Sequence, residues 1–254
     1  MTHQFLYDYQ TIVTLSRPIA SHFITLRCKP CKNIFQRLDF DNFIYSPIFH
    51  INYDIDAFGN QIIYGGTRET HDTLAYISSG IVSVDDYIIP EREINHIYKF
   101  PSTLSVPSEA MKKLHFTNKN IYERALEICH YVHEIMIYTP GITNNQTTAA
   151  EAFDLRRGVC QDYAHIMLSL CRNNNIAARY VNGLLEGYGY THAWVEIHDG
   201  KAWIPFDPTN NRPIEYGCLK IAHGRDVADC PVNRGTFIGC SNQNTWISVT
   251  VKKL

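Results

Sequence analysis

Gly158-Val159-Cys160-Gln161-Asp162-Tyr163-Ala164-His165 is the stretch on which the reading of this chain turns. A cysteine stands directly behind a Gly-Val pair, and a helical apolar pattern then begins. Ala164, Met167, Leu168 and Cys171 fall at i, i+3, i+4 and i+7. The pattern places Cys160 at or just before the first turn of a helix whose apolar stripe faces a core. The unpaired amide groups and positive dipole end of such a helix favour an anion, here a thiolate. A thiolate is the reactive form of cysteine. A small buried apolar cysteine is the alternative for this position, and residues further along the chain weigh between the two.

His192-Ala193-Trp194-Val195-Glu196-Ile197-His198 is followed by Asp199-Gly200 and then by Lys201 to Asp207. Both arms alternate in polarity: Ala193, Val195 and Ile197 share one face with Ala202, Ile204 and Phe206. Asp-Gly between two such arms predicts a hairpin with a type I′ turn at 199–200. That turn pairs His198 with Lys201, Glu196 with Trp203, Trp194 with Pro205 and His192 with Asp207. Directly opposed side chains have Cβ atoms about 4.5–5.5 Å apart, within reach of a His–Asp hydrogen bond. Pro205 cannot donate to a ladder, so its strand is expected to be an edge there or to carry a bulge. A helix-start cysteine, a strand histidine and a neighbouring carboxylate are the parts of a cysteine nucleophile with an oriented base. For the pair alone, a surface ion pair is the alternative.

At these residues the chain resembles the bacterial transglutaminase-like superfamily. The resemblance rests on Gly158 to His165, Ala178-Arg179-Tyr180-Val181-Asn182-Gly183, His192-Ala193-Trp194 and Phe206-Asp207-Pro208-Thr209-Asn210, in order and at matching spacing. It continues through Gly224-Arg225-Asp226 and Arg234-Gly235. The N-terminal region is similar to the β-rich domain that often precedes this core in bacterial members. The resemblance implies an α+β fold: a β-sandwich-like domain, then a papain-like core with the nucleophile at a helix N-terminus packed on an antiparallel sheet. It also implies Cys160 as nucleophile, His192 as general base and acid, and Asp207 as the orienting carboxylate.

With 254 residues, one large domain or two small ones are open. Hydrophobic content of 45% against 19% charged residues gives enough apolar surface for a core and argues against global disorder. A net charge of −2 without a long basic run speaks against nucleic acid or an anionic membrane surface as partner. Cys28 and Cys31 form the single CxxC among 8 cysteines, with no second pair at zinc-ribbon spacing. No calcium loop is visible either. The expectation is therefore no metal and no cofactor. The N-terminus shows no basic start before an apolar run, and no apolar stretch is long enough to span a bilayer. A cytoplasmic protein with reduced thiols is expected.

Alternating segments recur through residues 1–87: 22–28, 36–40, 49–54, 61–64 and 74–84, with turn residues between them. They predict a β-rich N-terminal domain of sandwich or barrel type, serving as scaffold or groove wall. Pro90, Pro101 and Pro107 mark residues 88–107 as a linker. The transglutaminase-like catalytic domain is expected over 108–254. There, Asn120 to Glu123 resembles a capping box opening a helix to about Tyr138. Thr148 to Glu151 is a second box, opening a short helix that delivers the chain to Gly158. Glycine at 158 leaves room for backbone or substrate to approach Cys160. A strand is expected over 177–181. Residues 183–190, with three glycines, read as a loop before His192 that either gates the site or simply connects.

An activated cysteine attacks an amide or ester carbonyl and forms a thioester. Water as acceptor makes a peptidase or amidase; an amine makes a transglutaminase. A catalytically silent member that binds peptide in the same cleft is the third reading. In each case the expected partner is a peptide or protein. The Cys160 backbone N–H supplies one oxyanion donor, and Gln161 and Tyr138 are candidates for the second. Trp194 and Trp203 share the hairpin face of His192 and Asp207, where they either line a substrate groove or shield the His–Asp pair.

Overall fold

The computed structural model describes residues 2–254. The N-terminal half contains β1 (His3–Leu26), β2 (Gln36–Ser46), β3 (His50–Ile55), β4 (Gln61–Thr67) and β5 (His71–Val84). β1 alternates buried and exposed positions along most of its length, so it can offer one face to a core throughout. Its first part pairs antiparallel with β5, from His3↔Val84 to Thr14↔Thr73. Its last part pairs with β4, from His22↔Thr67 to Leu26↔Ile63. The register breaks between Thr14 and Ile19. Pro18 lies inside that break, where no N–H is available for a ladder. β1 thus serves two antiparallel ladders, with β5 and β16 along its first part and with β4 and β15 along its last, and joins them into one eight-stranded sheet. Where the ladders adjoin, the Phe49 ring, between β2 and β3, meets Tyr45 of β2 and His22 of β1.

The chain continues through β6 (Ile89–Pro90), α1 (Glu109–Lys112), α2 (Ile121–Ile135), β7 (Ile137–Tyr138), α3 (Ala149–Leu155), β8 (Arg157–Gly158) and α4 (Cys160–Asn173). It then forms β9 (Ala178–Leu185), β10 (Gly187–Gly189), β11 (Thr191–His198), β12 (Ala202–Asp207), β13 (Arg212–Pro213) and β14 (Cys218–Gly224), followed by β15 (Asn233–Ile238) and β16 (Gln243–Lys253). A second antiparallel sheet has the order β13-β12-β11-β9-β14, with β6 on β12. α4 lies on β9 and β11 and is covered by α2 and α3.

α4 is buried all round from Asp162 to Arg172, more than its apolar stripe requires. Its polar positions Asp162, His165, Ser169 and Arg172 are buried as well. Buried polar groups cost free energy unless they are hydrogen-bonded. Segment 102–105 and the residues after β14 meet that need in part. Arg172 donates to Ser105 Oγ, Ala178 O and Arg225 O, and His165 Nε2 accepts from the Val227 amide. Residues 88–107 are therefore no free linker. They contain β6 and two 3-10 turns, 96–99 and 103–105, and bury Tyr98, Ser102, Leu104 and Ser105.

Residues 233–253, which division in chain order assigns to the second unit, complete the first. β16 runs beside β1 from Phe5↔Lys253 to Leu15↔Gln243, and β15 pairs with the last part of β1. Residues 183–190 are not a free loop either. β9 extends to Leu185, and Gly187 to Gly189 pair with Val251 to Val249 of β16. No helix among the described residues is long and apolar enough to cross a membrane. Among the same residues no group of three or more His, Cys, Asp or Glu side chains gathers for a metal.

Candidate active site

Cys160 is the first residue of α4, and Val159 is its extended N-cap. The segment leading there is fixed by three local devices. Thr148 and Glu151 form a reciprocal capping box at the start of α3. Arg156 ends α3 in the left-handed conformation at φ 56°. Gly158 then pairs in parallel with Tyr138, through β8 and β7. That pairing also explains why α2 ends at Ile135 and not near Tyr138. Ile137 and Tyr138 are strand formers, and Thr139 precedes Pro140, whose ring disfavours helical backbone there.

Asp162 holds the turn that presents Cys160. Its Oδ2 accepts from the Val159 amide at 2.7 Å and from Thr143 Oγ1 at 2.7 Å. A Cβ on Gly158 would stand 2.4 Å from Asp162 Oδ2 and 2.7 Å from its Cβ. Glycine at 158 therefore makes room for the capping carboxylate, where its place in the sequence suggests room for backbone or substrate. Asp162 is fully buried, its Oδ1 has no hydrogen-bond partner, and burial pushes its carboxyl up from the usual range. Cys160 itself is half-buried. Its N–H lies in the first turn, where a helix supplies no acceptor.

The hairpin forms with a register other than the expected one. Val195 pairs with Phe206, Glu196 with Pro205, Ile197 with Ile204 and His198 with Trp203. The Asp199 side chain accepts from the amides of Lys201 and Ala202, and Asp199 N donates to Ala202 O, so the turn is wider than a type I′. Continuing this register sets Asp207 opposite Trp194, so Asp207 is a diagonal neighbour of His192. A slip of two positions keeps every side chain on its face. The diagonal is spanned by the side chains, and His192 Nε2 lies 2.8 Å from Asp207 Oδ2. Pro205 fits as an interior residue because β12 has short partners on its outer side. β6 covers Ala202 and Trp203, β13 covers Phe206 and Asp207, and Pro205 falls between them.

Asp207 is fully buried and satisfied. Its Oδ1 accepts from the amides of Thr209 and Asn210, and its Oδ2 accepts from Asn210 Nδ2 at 2.6 Å as well as facing His192. Burial acts to raise its pKa, but the hydrogen bonds from His192 and Asn210 outweigh it and hold the carboxyl below its ordinary range. Burial acts to lower the pKa of His192. The hydrogen bond with Asp207 and the influence of the neighbouring Cys160 reverse that and push it up to about 10. Nε2 is committed to Asp207, which leaves Nδ1 as the uncommitted ring nitrogen. The structure thus brings Cys160, His192 and Asp207 together in series.

The other candidates separate. Tyr138 is 52% exposed and lies beside Gly158. Gln161 Nε2 donates to Asn144 O, which ties it to the loop before α3. Trp194 is fully buried, with its ring against His192 at a centroid distance of 6.3 Å. Trp203 is fully buried among His198, Tyr98 and Arg179, whose guanidinium stacks on it at 4.1 Å. Neither tryptophan lines an open groove. Sequence reasoning misses Asp162, Thr143 and Asn210. Two of these carry a legible signal: Asp at the third position of a helix, and Asn in an Asp-Pro-Thr-Asn turn whose first residue accepts from the following amides.

This fold and constellation define a class. Residues 110–208 match the Transglutaminase-like superfamily, so this stretch carries a transglutaminase-like domain. The crystal structure of a "Putative Cysteine Protease" from Cytophaga hutchinsonii superposes with a TM-score of 0.86 at 25% identity, covering 100% of this chain and 91% of that one. An uncharacterized protein of Mycobacterium tuberculosis is 25% identical over 99% of this chain and 90% of its own length. An uncharacterized protein of Mycobacterium leprae is 32% identical over 46% of this chain and 45% of its own.

Proposed function

We propose that this protein is a cysteine-dependent hydrolase or acyl transferase acting on peptide or protein amides, and most directly a transglutaminase-like cysteine peptidase. The observation that carries the reading is the series itself: a half-buried cysteine at a helix N-terminus, a histidine beside it, and a saturated carboxylate behind the histidine. The "Putative Cysteine Protease" neighbour, alike over the whole chain, supports the same class.

In this reading His192 takes the Cys160 proton and Asp207 fixes the imidazole and stabilises its cation. Cys160 Sγ attacks the amide carbonyl. The C–S bond forms, the C–N bond breaks, and the imidazolium proton goes to the leaving amine. Water, activated by the returned imidazole, then hydrolyses the thioester. The Cys160 N–H stabilises the oxyanion, and we assign Tyr138, paired with Gly158, as the second donor. We place the protein in the cytoplasm, where its unpaired cysteines stay reduced.

The test is iodoacetamide labelling of the native protein across pH, read by peptide mapping, beside His192→Ala. Fast labelling confined to Cys160 at pH 6, lost in the variant, is expected, followed by cleavage in a fluorogenic peptide screen. Incorporation of a labelled amine into a glutamine peptide without hydrolysis would make it a transglutaminase. Slow, uniform labelling of exposed thiols, unchanged in the variant, would leave a silent peptide-binding member.

A further inference from the structure

The face of β11 that carries His192 also carries Trp194 and Glu196. Glu196 is fully buried between Arg179 Nε and Lys220 Nζ, which lies 2.8 Å from each carboxylate oxygen. Its Oε1 also accepts from Tyr87 Oη at 2.6 Å. The same hydroxyl accepts from Trp194 Nε1 at 3.1 Å. Tyr87 comes from the segment just after β5, and its ring stacks on Phe35 at 3.9 Å, with both rings buried. A continuous chain of hydrogen bonds therefore runs from a fixed buried charge, through a tyrosine packed against the N-terminal unit, to the indole against His192.

Trp194 is held at its other end too. Gly183 is the β9 residue paired with His192. A Cβ there would stand 2.3 Å from Trp194 Cη2. The six-membered ring of the indole thus fills the space a side chain at 183 would take, directly beside the histidine backbone. Fixed at both ends, the indole has one position, and that position sets the wall against which the imidazole rests. An indole N–H buried without its acceptor would be left unsatisfied, so removing the Tyr87 hydroxyl favours a shift of the ring.

We propose that Tyr87 is a positioning residue for His192, acting through Trp194, with Glu196 as the fixed charge that orders it. This rests on the reading of Cys160 and His192 as the reactive pair. It makes the N-terminal unit part of the active-site apparatus, because Phe35 supports Tyr87 from that side. A displacement of a catalytic group by about 1 Å can cost on the order of 10²-fold in rate, so a hydroxyl remote from the thiol can matter to the chemistry.

The test compares Tyr87→Phe, which keeps the ring stacked on Phe35, with Tyr7→Phe. The latter removes another buried hydroxyl, bonded to Ser78 in the first unit. In the full chain, histidine-selective NMR titration should place wild-type His192 at about 10. Tyr87→Phe should lower that midpoint by roughly one unit or more and slow Cys160 alkylation roughly tenfold at pH 6. Tyr7→Phe should change neither, though both variants lose some melting temperature. Equal His192 midpoints in wild type and Tyr87→Phe, or the same shift in both variants, would overturn the proposal. Should wild-type Cys160 show no selective alkylation, the proposed function fails, and the His192 midpoint still decides the role of Tyr87.

Discussion

Two buried carboxylates share one face of the same hairpin and do different things. Glu196 is enclosed by Arg179, Lys220 and the Tyr87 hydroxyl. Asp207 meets a single titratable partner, His192, with Asn210 and two backbone amides filling its other lone pairs. Both are held below the ordinary carboxylate range against the opposing effect of burial. The difference lies in what each partner has left over. Arg179 and Lys220 are spent on Glu196, whereas His192 keeps its second ring nitrogen for Cys160. A saturated ion cluster fixes structure. A carboxylate that saturates only one side of an imidazole leaves the other side able to move a proton.

The strongest way to break this comparison is Asp207→Asn. An amide holds the ring in the wrong tautomer, so turnover should fall by about 10³–10⁴-fold, measured as kcat/KM on whichever peptide the screen identifies. Stability should respond with a definite sign. The folded pKa of His192 is raised to about 10, above the roughly 6.5 of an unfolded histidine. Its contribution is therefore complete below about pH 6.5 and is lost as pH rises toward the folded value. The gap in urea midpoint between wild type and Asp207→Asn should narrow from pH 6 to pH 10. A gap that widens over this range would contradict an imidazolium held by Asp207.

Glu196→Gln probes the other carboxylate. It leaves Arg179 and Lys220 buried with one countercharge fewer, which should cost about 3–5 kcal/mol of stability, read by urea denaturation at pH 7. The lowered Glu196 pKa adds an acid dependence. This stability is present above about pH 4.3, the unfolded value, and is lost as pH falls toward the folded one. The variant should therefore lose less on acidification than wild type does. The distinction between the two sites would collapse if Asp207→Asn destabilised the fold as much as Glu196→Gln.

The site was more legible than the supports around it. Cys160, His192 and Asp207 follow from a helix-start pattern and two alternating arms, because face and periodicity survive errors of detail. The hairpin illustrates this. Asp199-Gly200 points to a tight turn, yet the Asp199 side chain caps a wider one, and a shift of two residues still leaves His192 and Asp207 on one face. The contributions of distant segments were not legible. Tyr87 lies 107 residues from Trp194 and carries no local signal of its hydrogen bond to it. Residues 88–107 read as a linker because short 3-10 turns have no periodicity, although they bury Ser102 and Ser105 against Arg172. The closure of the first layer by β16 depends on pairing across nearly the whole chain, which alternation within one strand cannot reveal.

A milder change tests how the thiol side of the series is fixed. Gly158→Ala puts a methyl group where the Asp162 carboxylate caps α4, at 2.4 Å from Oδ2. Overpacking of this kind costs about 1–3 kcal/mol. Because Asp162 Oδ2 also holds the Val159 amide and Thr143, the displaced cap should move Cys160. Cys160 alkylation should slow, and the His192 midpoint should fall in part, because Cys160 is one of the two groups that raise it. A fall in the midpoint as large as that of Asp207→Asn would mean that the helix end and the hairpin move together.

Asn210→Ala should have the smallest effect, and it separates two accounts of Asp207. The change removes the 2.6 Å bond to Oδ2, the same oxygen that faces His192, and leaves the two amides on Oδ1 in place. Loss of one hydrogen bond to a charged acceptor should cost about 1.5–3 kcal/mol if the oxygen stays buried and unpaired, and less if water replaces the amide. Asn210 is exposed, so water is at hand and the lower figure applies. If Asn210 only neutralises charge, Asp207 becomes more basic toward His192, the imidazolium is held more strongly, and the His192 midpoint rises. If Asn210 instead fixes the direction of the carboxylate, the bond to Nε2 loosens and the midpoint falls, with a severalfold loss in kcat and little change in KM. The amides of Thr209 and Asn210 already hold Oδ1, so rotation of the carboxylate is opposed without the side chain, and a small rise in the midpoint is the expected result.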